Sequence, residues 1–133
     1  MFQFDHINLR VPETKLIKEK DFFCEILSLK DSARVNQKSK GFWLSDSQDN
    51  IVIHLSVLSS SNPIPTNTGV IDHIAFRSSN VDKFYAHIEE HDIPSSIKYH
   101  DNNNVTQIFF YSPSGIKIEA NFANEKITKK APQ

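Results

Sequence analysis

The 133-residue sequence has one cysteine, Cys24, so no disulfide can form within the chain, and such usage suits a reducing compartment. Its net charge is −1, from 15 Lys+Arg against 16 Asp+Glu, which removes the long-range pull that phosphate backbones exert on basic proteins. No apolar run is long enough to cross a bilayer. The opening MFQFDHINLR has no positive stretch leading into an apolar one. The length leaves no room for separate catalytic and regulatory domains. The expectation is a soluble, cytoplasmic single domain with no nucleic-acid and no membrane partner. Its apolar residues are clustered rather than dispersed, which argues against disorder.

What the sequence does contain is a repeat. Residues 5–11 read DHINLRV and residues 72–78 read DHIAFRS, an offset of 67. Each is followed by a helix-like segment and then by strand-like pairs broken by a polar turn, GFWLSDSQDNIVIHLSV (41–57) and IFFYSPSGIKIEANF (108–122). Residues 58–69, LSSSNPIPTNTG, read as a linker, and NEKITKKAPQ (124–133) as a frayed tail. Each half is too small to fold well alone, so the two should pair. In the second half Val81, Phe84, Tyr85 and Ile88 make one apolar helical stripe, with Asn80 as N-cap, Asp82 at the positive end of the dipole and Pro94 beyond the stop. In the first half Leu16, Phe22, Phe23, Ile26, Leu27 and Leu29 form a looser stripe after Pro12. Both stripes read as core, and Cys24 as a small hydrophobe of the first helix.

The strands alternate with period two. Ile7, Leu9 and Val11 share a side opposite His6, Asn8 and Arg10; Ile51, Ile53, Leu55 and Val57 oppose Val52, His54 and Ser56. Ile74 and Phe76 oppose His73, Ala75 and Arg77; Ile116, Ile118, Ala120 and Phe122 oppose Lys117, Glu119 and Asn121. If the apolar faces pack under the helices, a second face remains that carries His6, His54, His73 and Glu119. Three imidazoles and a carboxylate suit zinc, nickel, iron(II), cobalt(II) or manganese(II). They fall at matching places, His6 with His73 and His54 with Glu119. His87 and His91, four apart on the second helix, read as solvated surface, and His100, in the polar KYHDNNNV, is left out of the site.

These segments resemble the vicinal oxygen chelate superfamily, also called the glyoxalase/bleomycin-resistance/extradiol-dioxygenase superfamily. The resemblance runs over residues 2–122, on DHINLRV, FFCEILSLK, IVIHLSV, VIDHIAFR and SPSGIKIEANF, the last similar to a D-P-D-G-x-x-I-E-L ending with Ser in place of both Asp. It implies an α+β fold of two paired βαβββ modules, 1–57 and 70–123, forming a curled mixed sheet around a cleft with the helices outside. It also implies one divalent metal ion per site, held by His6, His54, His73 and Glu119, and a homodimer.

Four protein ligands leave two positions of an octahedral ion open for adjacent substrate oxygens, the glyoxalase or epimerase route through an enediolate or enolate. Glu119 would then shuttle the proton, with His54 standing where the glyoxalase I pattern has Glu. A triad of His6, His73 and Glu119 alone, with His54 as acid/base, would instead suit an extradiol-type iron dioxygenase. Thiol transfer to an antibiotic such as fosfomycin, or drug binding of the bleomycin-resistance type without catalysis, are further alternatives. The expectation adopted is a metal-dependent glyoxalase-like lyase or isomerase of a small vicinal-oxygen substrate. Asn8, Arg10 and Arg77 are its candidate substrate-binding residues. At ~3.3 Å per residue the arginines stand roughly 13 Å beyond their histidines. Trp43, Phe109 and Tyr111 are candidates for an apolar wall, and 98–106 is either a lid or a hairpin turn.

Overall fold

Two runs of the same element order make up the chain in the computed structural model, which describes residues 1–32 and 40–128. In the first, strand β1 (Ile7–Val11) leads through a short turn of 3-10 helix into helix α1 (Leu16–Leu27), then β2 (Lys30–Ser32), β3 (Gly41–Ser45) and β4 (Ile51–Val57). In the second, β5 (Ile74–Ser78) leads to α2 (Val81–Glu90), β6 (Ser96–His100), β7 (Val105–Tyr111) and β8 (Lys117–Ala123). Each run builds a four-stranded mixed sheet, ordered β1-β4-β3-β2 and β5-β8-β7-β6. First and last strands pair in parallel across the helix; the others pair antiparallel. The chain divides into two compact units, Met1–Thr66 and Asn67–Gln133, the division falling within the stretch read as a linker. The fold is α+β, two βαβββ modules, as the repeat predicts.

Period-two burial sorts each sheet into a packed face and a second face. In the first unit Val11, Leu44, Ile53 and Leu55 are buried with Leu16, Phe22, Phe23 and Ile26 of α1. Glu19 is also fully buried, at a stripe position between Leu16 and Phe23, which is why that stripe reads loosely in the sequence. Cys24 is half-buried on the same helix, and burial pushes its thiol pKa up, away from the reactive thiolate. In the second unit Ile108, Phe110, Ile118, Ala120 and Phe122 are buried with Val81 and Ile88. The Phe84 ring of α2 lies 5.8 Å from Phe110 and 5.6 Å from Phe122.

Matching polar turns join the last two strands of each unit. Asp46 accepts the backbone N–H groups of Gln48 and Asn50, both at 3.0 Å. Ser112 accepts that of Ile116 at 3.1 Å, and Gly115 takes the left-handed conformation (φ +87°) that the turn demands. A serine hydroxyl thus does in SPSG what an aspartate would do. The segment 98–106 is a hairpin, with turn residues 101–104 between β6 and β7.

Two expectations change. Asn80 stands at the N-cap of α2 but its side chain makes no capping bond, because its backbone is left-handed (φ 66°). The carboxylate of Glu125 takes the role, accepting the N–H groups of Asn80 (3.0 Å) and Val81 (2.8 Å). The segment from Asn124 is accordingly no free tail up to Thr128, whose N–H and hydroxyl both donate to Asp82. Residues 129–133 of that stretch lie outside the described residues. Glu125→Ala should cost about 1–2 kcal/mol, the usual scale for a lost N-cap, with the exposed Lys83→Ala near neutral. Urea unfolding of both variants checks this.

Candidate metal centre

Each unit brings two of the four candidate ligands together on its second face. His6 directly precedes β1 and His73 directly precedes β5, one residue short of the first ladder pairs, Ile7 with Ile53 and Ile74 with Ile118. Each therefore sits at a strand's start, not within it as the alternation suggests. His54 lies within β4 and Glu119 within β8.

In the second unit the His73 Nε2 is 3.3 Å from Glu119 Oε1. The Asp72 carboxylate lies 2.7 Å from His73 Nδ1, on the other side of the ring. That bond puts a ring proton on Nδ1 and turns Nε2 toward a carboxylate oxygen. Two acceptors facing each other require a proton or a cation between them. Ligands on adjacent positions of an ion with bonds of ~2.1 Å stand about 3 Å apart, so the pair fits a divalent metal. Glu119 is only 5% exposed. Its charge is met by two amides: Gln107 Nε2 donates to Oε1 at 3.0 Å and Asn121 Nδ2 to Oε2 at 3.1 Å. His100 Nε2 is 2.6 Å from Gln107 Oε1. Phe109, opposite Glu119 in the β7–β8 ladder, stands edge-on to His73 at 5.7 Å, with Lys117 Nζ 4.9 Å over its ring. Lys117 also lies 3.6 Å from Asp72. The hydrogen bond with His73, and then the Lys117 charge, hold the Asp72 carboxyl below its ordinary pKa. What this ionised group contributes to folding is therefore present above the ordinary carboxylate pKa. It is lost only as pH falls through the lowered one.

The first unit repeats half of this. Asp5 lies 2.5 Å from His6 Nδ1, again fixing the ring through the nitrogen remote from a metal. But the His6 and His54 rings are stacked, centroids 3.7 Å apart and planes 17° apart, and Trp43 stacks on the other face of His54 at 4.8 Å. An imidazole donates in its own plane, so near-parallel stacked rings do not aim at one ion. One ring must swing for both to bind. Trp43 faces His54 across the β3–β4 ladder as Phe109 faces Glu119. The positions matching Gln107 and Asn121 are Gly41 and Ser56, which have no amide to offer. Within neither unit do three or more described His, Cys, Asp or Glu gather as a metal-holding group.

Of the other candidates, Asn8 lies opposite His54 on β1 and its Oδ1 accepts the Ser56 hydroxyl at 3.1 Å. Arg10 and Arg77 are exposed on the ligand-bearing faces, opposite Ser56 and Asn121. Tyr111 is 60% exposed. His91, at the C-terminal end of α2, has its Nδ1 2.8 Å from the His87 carbonyl. The sequence reading missed Asp5, Asp72, Gln107, Asn121 and His100. The signal for the aspartates was the repeated Asp-His dipeptide itself.

The profile of the Glyoxalase/Bleomycin resistance protein/Dioxygenase superfamily matches residues 3–120, and the chain belongs to this superfamily. Its fold is that of solved relatives. A Bacillus anthracis protein described as of the glyoxalase family is 19% identical with a TM-score of 0.72, over 92% of this chain and 96% of that one. The genomically encoded fosfomycin resistance protein of Listeria monocytogenes is 19% identical with a TM-score of 0.68, over 92% and 94%. The lactoylglutathione lyase of Agrobacterium tumefaciens is 15% identical with a TM-score of 0.61, over 92% and 94%. No curated protein matches the sequence. Among the described residues no helix is long and apolar enough to cross a membrane.

Partners that orient a ligating histidine are typically worth ~10–100-fold in metal affinity. Asp72→Asn and Asp5→Asn should each weaken Zn²⁺ or Co²⁺ binding by that order while leaving the far-ultraviolet circular dichroism unchanged. Competition with a chromophoric chelator reads the change.

Proposed function

We propose that the chain is a divalent-metal-dependent lyase or isomerase of glyoxalase type, acting on a small substrate with two adjacent oxygens. The observation that carries this is the Asp72-anchored His73 presenting Nε2 to the buried Glu119 carboxylate at 3.3 Å. His6 and His54 from one unit, with His73 and Glu119 from the other, are the proposed ligands. When bound, the cation would supply Lewis-acid polarisation of the substrate oxygens, raising the acidity of the neighbouring C–H.

The rest falls to the chain's own side chains. Glu119 takes and returns the substrate proton at a carboxylate oxygen, and His54 is the second proton-handling group. Gln107 and Asn121 keep the carboxylate aimed. Asn8 holds a substrate oxygen, and Arg10 and Arg77 draw in an anionic tail. Trp43 and Phe109, beside their ligands, reduce the access of water. The proposed working form is a cytoplasmic homodimer, in keeping with the superfamily resemblance.

A second reading, chemistry on a fosfomycin-like phosphonate, is favoured by one comparison. A variant of the Listeria fosfomycin resistance protein, with a TM-score of 0.64 and 19% identity, was solved with Mn(II) and 1S,2S-dihydroxypropylphosphonic acid, a vicinal diol.

Protein purified without chelators or a metal-binding tag should carry about one divalent ion per site, and His73→Ala and Glu119→Ala should lose it. Stoichiometric metal in both variants refutes the ligand set. In D₂O, loaded protein should exchange the α-hydrogen of a 2-oxoaldehyde hemithioacetal or an α-hydroxyketone, and Glu119→Gln should slow this by ~10²–10⁴. Proton nuclear magnetic resonance (NMR) follows the exchange. Consumption of O₂ with a catechol under iron(II) would overturn the isomerase reading, and turnover of fosfomycin alone would select the second.

A further inference from the structure

We propose that His100 is a positioning residue for Glu119, acting through the side-chain amide of Gln107; this rests on the reading of Glu119 as ligand and proton carrier. Three neighbouring strands carry the chain of contacts: His100 ends β6, Gln107 lies in β7 and Glu119 in β8. His100 Nε2 is 2.6 Å from Gln107 Oε1, and Gln107 Nε2 is 3.0 Å from Glu119 Oε1.

An amide has an accepting end and a donating end, and only one orientation satisfies both neighbours. An ionised carboxylate only accepts, so the NH₂ of Gln107 must face Glu119. The amide oxygen then faces His100, which must present an N–H at Nε2. If His100 carried its proton on Nδ1 instead, two acceptors would meet at 2.6 Å. The amide would turn over, giving its NH₂ to His100 and its oxygen to Glu119. Glu119 would then lose one of two amide donors and gain a repulsive neighbour. At 5% exposure, solvent water cannot readily take the donor's place. The tautomer of His100 therefore sets whether Glu119 keeps both amide donors and stays aimed at His73.

The first unit shows the device to be specific to the carboxylate. The position matching Gln107 is Gly41, and the ligand matching Glu119 is an imidazole held between two rings. An imidazole ligand has no charge that an amide donor must meet. The relay exists where there is a carboxylate to hold.

The test has two parts. Long-range ¹H–¹⁵N correlation spectra of the metal-free protein near pH 8, with His100 assigned by its loss in His100→Gln, should show the Nε2–H tautomer. Gln107→Leu should relax the preference to the weaker Nε2–H bias of free histidine. Zn²⁺ affinity, by competition with a chromophoric chelator, should then follow the donor at position 100. His100→Gln keeps an N–H donor and should stay within ~3-fold of wild type, whereas His100→Glu offers only acceptors, turns the amide over and should lose ~10–100-fold. An added negative charge acting by itself would strengthen cation binding, so the sign of the His100→Glu effect is diagnostic. Matched thermal unfolding curves exclude a folding defect. An Nδ1–H tautomer at His100, or a His100→Glu protein that binds as tightly as His100→Gln, overturns the proposal. A wild-type chain that takes up no metal overturns the metal reading instead, while the tautomer, read without metal, still decides the relay.

Discussion

The contact between the Asp72-bound His73 and the buried Glu119 carboxylate is the constraint on which the rest of the account depends. Burying a carboxylate is costly unless its charge is met. Here two amides meet part of it, and the imidazole Nε2 at 3.3 Å stands where a proton or a cation must meet the rest. The preceding aspartate holds the ring through Nδ1, which fixes the direction in which Nε2 meets Glu119. A buried carboxylate whose imidazole and aspartate neighbours reach solvent is a poor device for stability alone. It is well suited to holding a cation and a mobile proton.

Duplication explains how so short a chain assembles the parts. Both modules end a parallel pair with a candidate ligand one residue before the first strand and another in the last. Both set an aromatic ring directly across the ladder from the second ligand. They have then diverged in how that second ligand is held. His54 is clasped between His6 and Trp43, whereas Glu119 is clasped by Gln107 and Asn121. The divergence follows the chemistry of each ligand: a neutral imidazole is held well by stacking, and a carboxylate needs donors. It also makes the units unequal. The second sets an imidazole nitrogen against a carboxylate oxygen, while in the first the two rings lie stacked.

Much of the architecture could be read from period and repeat. The alternation of Ile53 and Leu55 around His54, and of Ile118 and Ala120 around Glu119, assigned the faces correctly because a half-buried strand leaves no other solution. Residues whose roles depend on partners far along the chain were harder. Asn80 has the composition of a cap, but the capping carboxylate comes from Glu125, 45 positions later. Glu19 sits in a core stripe where sequence patterning expects an apolar residue. His100 and Gln107 are adjacent only because β6 and β7 form a hairpin, and the Asn-rich stretch between them gave no sign of which residues it would oppose. The sequence placed His6, His54, His73 and Glu119 at matching positions of the repeat, but did not show which of them would touch within a unit. The stacking of His6 on His54 was not legible, since sequence fixes neither rotamer.

Cobalt(II)-loaded protein offers the most direct measurement, because the unpaired spins shift only protons close to the ion. Proton NMR should show three strongly shifted, solvent-exchangeable imidazole N–H signals, one missing in His6→Ala, another missing in His54→Ala, and all lost with the ion in His73→Ala. A spectrum with no shifted imidazole signal, or one unchanged by all three substitutions, would contradict the assignment of these side chains to a single metal.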